Sequence, residues 1–97
     1  MSLKPTQIQY LKGLAHHRKP VILVGAAGVS AAVLREIQIA LKTHELLKIR
    51  LPAVERVDRQ AMFEQVCRDT GAEPVQHIGR MAVIYRRAEK PKIQLPA

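Results

Sequence analysis

Apolar residues recur along the chain with two different spacings, which distinguish helices from strands. After Pro5 they return at helical spacing, which predicts a short amphipathic helix over residues 5–16. Residues 21–24 are four consecutive apolar residues and predict a short strand that is covered on both faces. A second helix is predicted to begin after Ser30, a favoured N-cap residue, and its apolar stripe extends to His44.

A strict alternation of apolar and basic residues follows the second helix. Leu47, Ile49 and Leu51 point to one side of a predicted strand. Lys48 and Arg50 point to the other side. A strand, a helix and a second strand in this order favour a right-handed unit with parallel strands.

The rest of the chain predicts a third helix and a hairpin. Asp58 is a plausible N-cap for this helix, and Gly71 follows its last residue, where glycine is favoured. Gly79 and Arg80, with the glycine first, suit a type II′ turn between two strands. The element order is therefore αβαβαββ. We expect an α/β (α+β) fold in two layers, with a mixed four-stranded sheet.

Length and composition predict one domain with a tail. A chain of 97 residues can bury a single modest core. Residues 1–87 hold all of the predicted elements and form the expected domain. Residues 88–97 contain two prolines among mixed polar residues, and we expect them to form a flexible C-terminal tail.

The chain is strongly basic, and its charge is unevenly distributed. The net charge is +8, and only 3% of the residues are aromatic. Residues 1–54 carry eight Lys or Arg against two acids, whereas residues 55–73 carry three against five. This distribution favours a polyanionic partner, with the mildly acidic segment facing elsewhere. So few aromatics exclude base stacking as the main mode of binding.

The sequence offers little support for a metal site, a disulfide or a membrane span. Cys67 is the single cysteine, so it can form no internal disulfide, and it fits a reducing cytoplasm. The four histidines are scattered, with no Cys or carboxylate at ligand spacing. No apolar run is long enough to cross a membrane, and the first residues lack a signal-peptide pattern. We therefore expect a cytoplasmic monomer without cofactor, metal or membrane partner.

The candidate chemistry lies in the bend between the first strand and the second helix. Gly25, Ala26, Ala27 and Gly28 leave the backbone of this bend almost bare of side chains. Backbone N–H groups and the N-terminus of the following helix favour a phosphate at such a place. A plain strand-to-helix turn would have the same sequence, so the bend alone leaves both interpretations open.

Six segments of the chain resemble one family. They occur in the family's order and are LKGLAH (11–16), KPVILVGAAGVS (19–30), VLREIQIAL (33–41), HELLKIRL (44–51), TGAEPV (70–75) and IGRMAVIYR (78–86). Together they make the chain similar to bacterial CRM-domain proteins of the YhbY type. The resemblance covers nearly the whole chain.

The resemblance implies a fold like that of the C-terminal domain of translation initiation factor three. It also implies RNA binding, association with precursors of the large ribosomal subunit, and no enzymatic activity. The family's G-x-x-G loop, implicated in RNA contact, falls on residues 25–28. Relatives often have a polar residue in the middle of this loop. The two alanines here therefore leave more of the contact to the backbone.

The candidate RNA-binding residues comprise the bend, the two residues that follow it, and basic residues expected to surround it. They are Lys12, Arg18, Lys19, Gly25, Ala26, Ala27, Gly28, Val29, Ser30, Lys48, Arg50, Arg80 and Arg86. Arg18 and Lys19 rank highest because they flank the strand that leads into the bend.

Two other functions remain open at this point. A small enzyme could hold a nucleotide or a phosphorylated metabolite with the same bend, although the lysine of a P-loop is missing after Gly28. An adaptor could bind protein through the open sheet face, although Lys48 and Arg50 make that face polar.

Overall fold

The computed structural model describes residues 2–97 and has the predicted order of elements. They are α1 Pro5–His16, β1 Ile22–Leu23, α2 Ala31–His44, β2 Leu46–Arg50, α3 Arg56–Thr70, β3 Glu73–Ile78 and β4 Met81–Tyr85. The single α+β domain and its four-stranded mixed sheet are confirmed.

The sheet has the strand order β1-β2-β4-β3. β1 and β2 are parallel and joined through α2, as predicted, whereas β4 is antiparallel to both of its neighbours. The β3–β4 hairpin turns through two residues, and Gly79 alone of these two has a positive φ, of 56°. A positive φ at the first turn position only is what a type II′ turn requires.

Side chains of β2 alternate between two hydrophobic clusters on opposite faces of the sheet. Leu47 and Ile49 pack in the larger cluster, beneath α2 and α3. Leu46 packs in the smaller cluster, beneath α1. Helices therefore cover both faces, and the fold has three layers where two were predicted. The extra layer is α1, which contacts β2 and β3 on the face that α2 and α3 leave free.

β1 is covered on one face only, which corrects the prediction for residues 21–24. Ile22 and Val24 are buried, but Val21 is 58% exposed and Leu23 is 67% exposed. β1 lies at the edge of the sheet, and α1 packs on β2 and β3 instead. A run of apolar residues shows that a strand is apolar on both sides, but it does not show how far a helix extends across the sheet.

The helix ends follow local rules with two exceptions. Ser30 caps α2, since its Oγ accepts a hydrogen bond from the Val33 N–H at 3.2 Å. Gly71 ends α3 in a left-handed conformation, as predicted. The N-cap of α3 is Glu55, and Asp58, predicted to be that cap, lies in the first turn. His44 is exposed, so the apolar stripe of α2 ends at Leu41.

The side chain of Glu45 joins the C-terminal segment to the core. Glu45 follows α2 with φ 59°, and it is the one non-glycine residue with a positive φ within the described residues 2–97. Its fully buried carboxylate accepts hydrogen bonds from the backbone N–H groups of Ala88 (2.9 Å), Lys92 (2.7 Å) and Ile93 (2.9 Å). These three hydrogen bonds to a buried carboxylate offset the cost of the positive φ at Glu45.

Burial of the Glu45 carboxyl acts to raise its pKa. The three N–H donors, with a smaller contribution from the Arg87 charge, outweigh burial and lower the pKa below its ordinary value. Ile93 and Leu95 pack against the α1 cluster next to this contact. The predicted mobility of residues 88–97 would require all of these contacts to break.

We expect Glu45→Gln to lower the free energy of unfolding by about 2 kcal/mol, because the amide replaces one acceptor oxygen with a donor. Hydrogen exchange at the Ala88, Lys92 and Ile93 amides should accelerate in the same variant. Glu89→Gln is the matched control, since Glu89 is exposed and makes no hydrogen bond within residues 2–97.

The same contact gives a pH dependence. Because the folded-state pKa of Glu45 is lowered, its contribution is complete above the ordinary value of 4.5 and disappears as the pH falls through the folded-state value. Wild-type stability should therefore fall more steeply below pH 4.5 than that of Glu45→Gln. Equal acid sensitivity of the two proteins would contradict this assignment.

Candidate functional site

The bend at residues 25–28 is an exposed tight turn. The Gly28 N–H donates a hydrogen bond to the Gly25 carbonyl at 2.9 Å, and Gly25, Ala26 and Ala27 are exposed. Gly28 has φ 93°, which disfavours any residue with a side chain. A Cβ at Gly28 would lie 3.7 Å from Met62 Cε, an ordinary contact, so backbone conformation rather than space requires this glycine.

The turn leads directly into the N-terminus of α2. Ser30 Oγ satisfies the N–H of Val33, and the earlier N–H groups of the first helical turn lack intrahelical acceptors. The helix dipole adds partial positive charge at the same place. The turn and the helix start therefore present backbone donors to an anion that approaches from solvent.

Two further segments lie beside this turn at the same end of the sheet. The Val24 N–H donates to the Arg50 carbonyl at 2.9 Å, so the turn begins next to the end of β2. Arg80, in the hairpin turn, donates from Nε to the Leu51 carbonyl at 2.9 Å. We call residues 25–30, Arg50, Gly79 and Arg80 the loop end.

Both predicted arginines of the loop end have donors free for a ligand. Arg50 is exposed and makes no side-chain hydrogen bond within the described chain. Arg80 is held through Nε alone, and its two terminal nitrogens have no partner among residues 2–97. The Arg80 guanidinium is thus anchored to the backbone, whereas that of Arg50 is not.

Two arginines on the first turns of α3, Arg56 and Arg59, lie near the loop end and were not among the predicted site residues. Arg59 donates from Nε to the Gly79 carbonyl at 3.1 Å and from Nη1 to the Val54 carbonyl, so it lies against the hairpin turn. Arg56 is exposed and, together with Arg59 and Gly79, lines a cleft beside the hairpin turn. They were overlooked because residues 55–73 carry more acidic than basic residues. Their three-residue spacing, which puts both on one helix face, was the available signal.

Arg18, Lys19 and Lys48 do not surround the turn. Arg18 donates to the Leu46 carbonyl at 3.0 Å, at the start of β2. The Lys48 ammonium donates to the carbonyls of Ala15 (3.3 Å) and Arg18 (3.2 Å), and so caps the C-terminus of α1. We call this opposite end of the sheet, with Lys19, the far end.

The two ends are separated by the length of β1 and its flanks. Lys19 and Gly25 are six residues apart in a nearly extended segment, which spans roughly 20 Å. Arg18 and Lys19, the candidates that ranked highest, therefore lie at the end of β1 that is distant from the turn. Lys12 lies on α1 and is half-buried.

Arg86 is engaged inside the protein. Its Nη1 donates to Gln38 Oε1 and to the Thr70 carbonyl, the latter at 2.7 Å, and its Nη2 donates to the Gln38 carbonyl at 3.5 Å. The guanidinium therefore ties α2 to the last turn of α3. This internal role takes Arg86 away from the predicted basic surface.

The thiol of Cys67 packs half-buried against the larger cluster. Burial, with smaller contributions from Glu73 and Glu64, raises its pKa to about 11, so it stays protonated and is a poor nucleophile. Among residues 2–97, no group of three His, Cys, Asp or Glu side chains is placed to hold a metal ion. None of the described helices is long and apolar enough to cross a membrane.

The chain matches known proteins over nearly its whole length. Residues 3–86 match the model of the CRS1 / YhbY (CRM) domain. A Haemophilus influenzae protein named RNA-binding protein is 44% identical over 95 residues, which are 98% of this chain and 96% of that protein. A Pseudomonas aeruginosa protein is 40% identical over 98% of this chain and 91% of its own length.

A solved structure supports the fold. The solution structure of a Staphylococcus aureus protein superposes with a TM-score of 0.85 at 33% sequence identity. The match covers 97% of this chain and 99% of that chain. The three-helix, four-stranded architecture is thus that of the whole relative rather than of a part of it.

The two glycines of the turn should respond differently to the same substitution. Gly28→Ala should lower the free energy of unfolding by about 1 to 2 kcal/mol, because alanine is strained at φ 93°. Gly25→Ala should stay within about 0.5 kcal/mol of wild type, since its φ is ordinary and no atom lies within 4 Å of an added Cβ. Urea unfolding measures both, and equal effects would contradict the geometry of the turn.

Arg86→Ala should lower the free energy of unfolding by about 2 kcal/mol, because the Gln38 and Thr70 oxygens lose their donor. Arg35→Ala is the matched control, since Arg35 is an exposed residue of α2 and its side chain makes no hydrogen bond within residues 2–97. Urea unfolding of the two variants in parallel gives the difference, and similar stabilities would show that the internal contacts of Arg86 contribute nothing.

Proposed function

Because the chain belongs to the CRS1 / YhbY (CRM) domain family, we propose that it is an RNA-binding protein that contacts the RNA backbone with its loop end. The observation that carries this proposal is the bare, exposed turn at residues 25–28, flanked by cations with unused donors. The similarity to the Haemophilus influenzae protein named RNA-binding protein supports the same conclusion.

The chemistry of the loop end suits phosphate better than bases. Backbone N–H groups of the turn and of the α2 start can donate to phosphate oxygens without a side chain in the way. Arg50 and Arg80 add charge-assisted donors beside them. Such contacts give affinity that falls with salt but little sequence selectivity. Only 3% of the residues are aromatic, so structured RNA recognised through its backbone and shape is the preferred ligand class.

The proposed target is RNA in precursors of the large ribosomal subunit, and the proposed role is to assist assembly without catalysis, in the reducing cytoplasm. The resemblance of the six sequence segments to the YhbY-type proteins supports this target. Co-sedimentation with subunit precursors on sucrose gradients, followed by crosslinking and sequencing of the attached RNA, tests it directly.

A nucleotide-binding enzyme is the alternative that the same turn would allow. Titration calorimetry separates the two, because an enzyme of this kind would bind a free nucleotide tightly and stoichiometrically. The RNA-binding proposal expects heat from a structured RNA and none from nucleoside di- or triphosphates at comparable concentrations.

Ala26→Asp/Ala27→Asp should weaken binding to a structured RNA by more than about tenfold, because two carboxylates would face the incoming phosphates. Both alanines are exposed, so the fold should be unchanged. Fluorescence anisotropy at fixed ionic strength measures the affinity, and circular dichroism checks the fold.

Ala26→Asn/Ala27→Asn is the matched control, with side chains of similar size and no charge. We expect it to bind within a few-fold of wild type. A folded aspartate variant with wild-type affinity would show that the turn does not contact RNA.

A further inference from the structure

The far end contains a cavity that the sequence did not single out. It lies between the C-termini of α1 and α2, has a volume of about 510 Å³, and is open to solvent. The Lys and Arg residues that line it are Arg18, Lys19, Lys48 and Lys92, and His44 also contributes to the lining. No Asp or Glu occurs among the described residues of its lining.

A second basic cleft adjoins this cavity. Its volume is about 480 Å³, and Lys92 lines both. It adds Lys42, Arg87 and Lys90, with Glu89 as the one acid among its described lining residues. The far end therefore gathers Arg18, Lys19, Lys42, Lys48, Arg87, Lys90 and Lys92, whereas Arg50, Arg56, Arg59 and Arg80 are the cations at and beside the loop end.

Two cations of the cavity are fixed and two are free. Lys48 and Arg18 are held by backbone carbonyls at 3.0 to 3.3 Å. Lys19 and Lys92 are exposed and make no side-chain hydrogen bond within residues 2–97. Like charges so close together repel one another, and a bound anion removes that cost.

The C-terminal segment completes the cavity. The Glu45 carboxylate accepts the backbone N–H of Lys92 at 2.7 Å and that of Ile93 at 2.9 Å, which places the Lys92 side chain at the rim. The charge of Glu45 is directed toward these backbone donors and the side chain is fully buried, so it does not line the cavity. Two residues of the segment that looks like a tail in the sequence, Lys92 and Ile93, therefore form part of the cavity wall.

We propose that the far-end cavity is a second binding site for backbone phosphates of RNA, separate from the loop end. This inference rests on the proposed function, because it takes RNA as the polyanion. The two basic ends lie at opposite ends of the sheet, separated by roughly 20 Å along β1 and its flanks. A single RNA that contacts both ends must therefore extend along the protein surface between them. A short RNA strand that is bound only at the turn would not reach the far end.

The test is Lys19→Gln/Lys92→Gln, with Arg35→Gln/Arg68→Gln as the matched control. All four side chains are exposed, and each variant loses two positive charges. Affinity for a structured RNA with a stem of roughly 20 base pairs, longer than the protein at about 3 Å per pair, is measured over a range of salt concentrations. Thermal unfolding confirms that each variant is folded.

The far-end variant should bind about three- to tenfold more weakly than the control at physiological salt. The slope of log affinity against log salt should fall by about 1 to 2, which corresponds to two lost phosphate contacts. A slope equal to that of the control, with Ala26→Asp/Ala27→Asp still defective, would overturn the far-end site and leave the proposed function intact. A wild-type protein that binds no RNA would instead overturn the proposed function, and the RNA site at the far end with it.

Discussion

Strand β2 is the constraint on which the rest of the structure depends. It is paired on both sides, and its alternating side chains serve the cluster under α2 and α3 and the cluster under α1. Its backbone also fixes both basic ends, because the Arg50 carbonyl receives Val24 before the turn and the Leu46 carbonyl receives Arg18. This strand thus contacts both hydrophobic clusters and both basic ends. The distance between the loop end and the far end is therefore set by the sheet and not by flexible loops.

Features with a local cause could be predicted from the sequence. Pro5 starts α1, Gly71 ends α3, and Gly79 begins the hairpin turn, each because its own backbone preference selects that position. The alternation from Leu47 onward identified the face of β2 that is buried under α2 and α3. The tight bend at residues 25–28, with its backbone almost bare of side chains, followed from the same local reasoning.

Features that depend on distant partners could not be predicted. Nothing near Arg86 in the sequence shows that Gln38 and Thr70 will enclose its guanidinium. Residues 88–97 look like a tail because their acceptor, Glu45, lies more than forty positions earlier. Lys19 was also misplaced, because closeness in sequence does not imply closeness in space. Lys19 precedes β1 and the turn follows β1, so the two lie at opposite ends of this strand. Arg56 was missed because counting charge over a segment ignores which helix face carries it.

The short edge strand β1 has a consequence for how the protein behaves at high concentration. Its outer rim presents backbone N–H and C=O groups that no strand within residues 2–97 pairs with, and the uncovered sheet face beside it carries the exposed side chains of Val21 and Leu23. In a longer strand such a rim would recruit strands from other molecules. Here the rim is two residues long, with Pro20 before it and the glycine turn after it. An incoming strand would gain too few hydrogen bonds to stay attached. Brevity therefore protects this edge from aggregation, without a charged side chain on the strand itself.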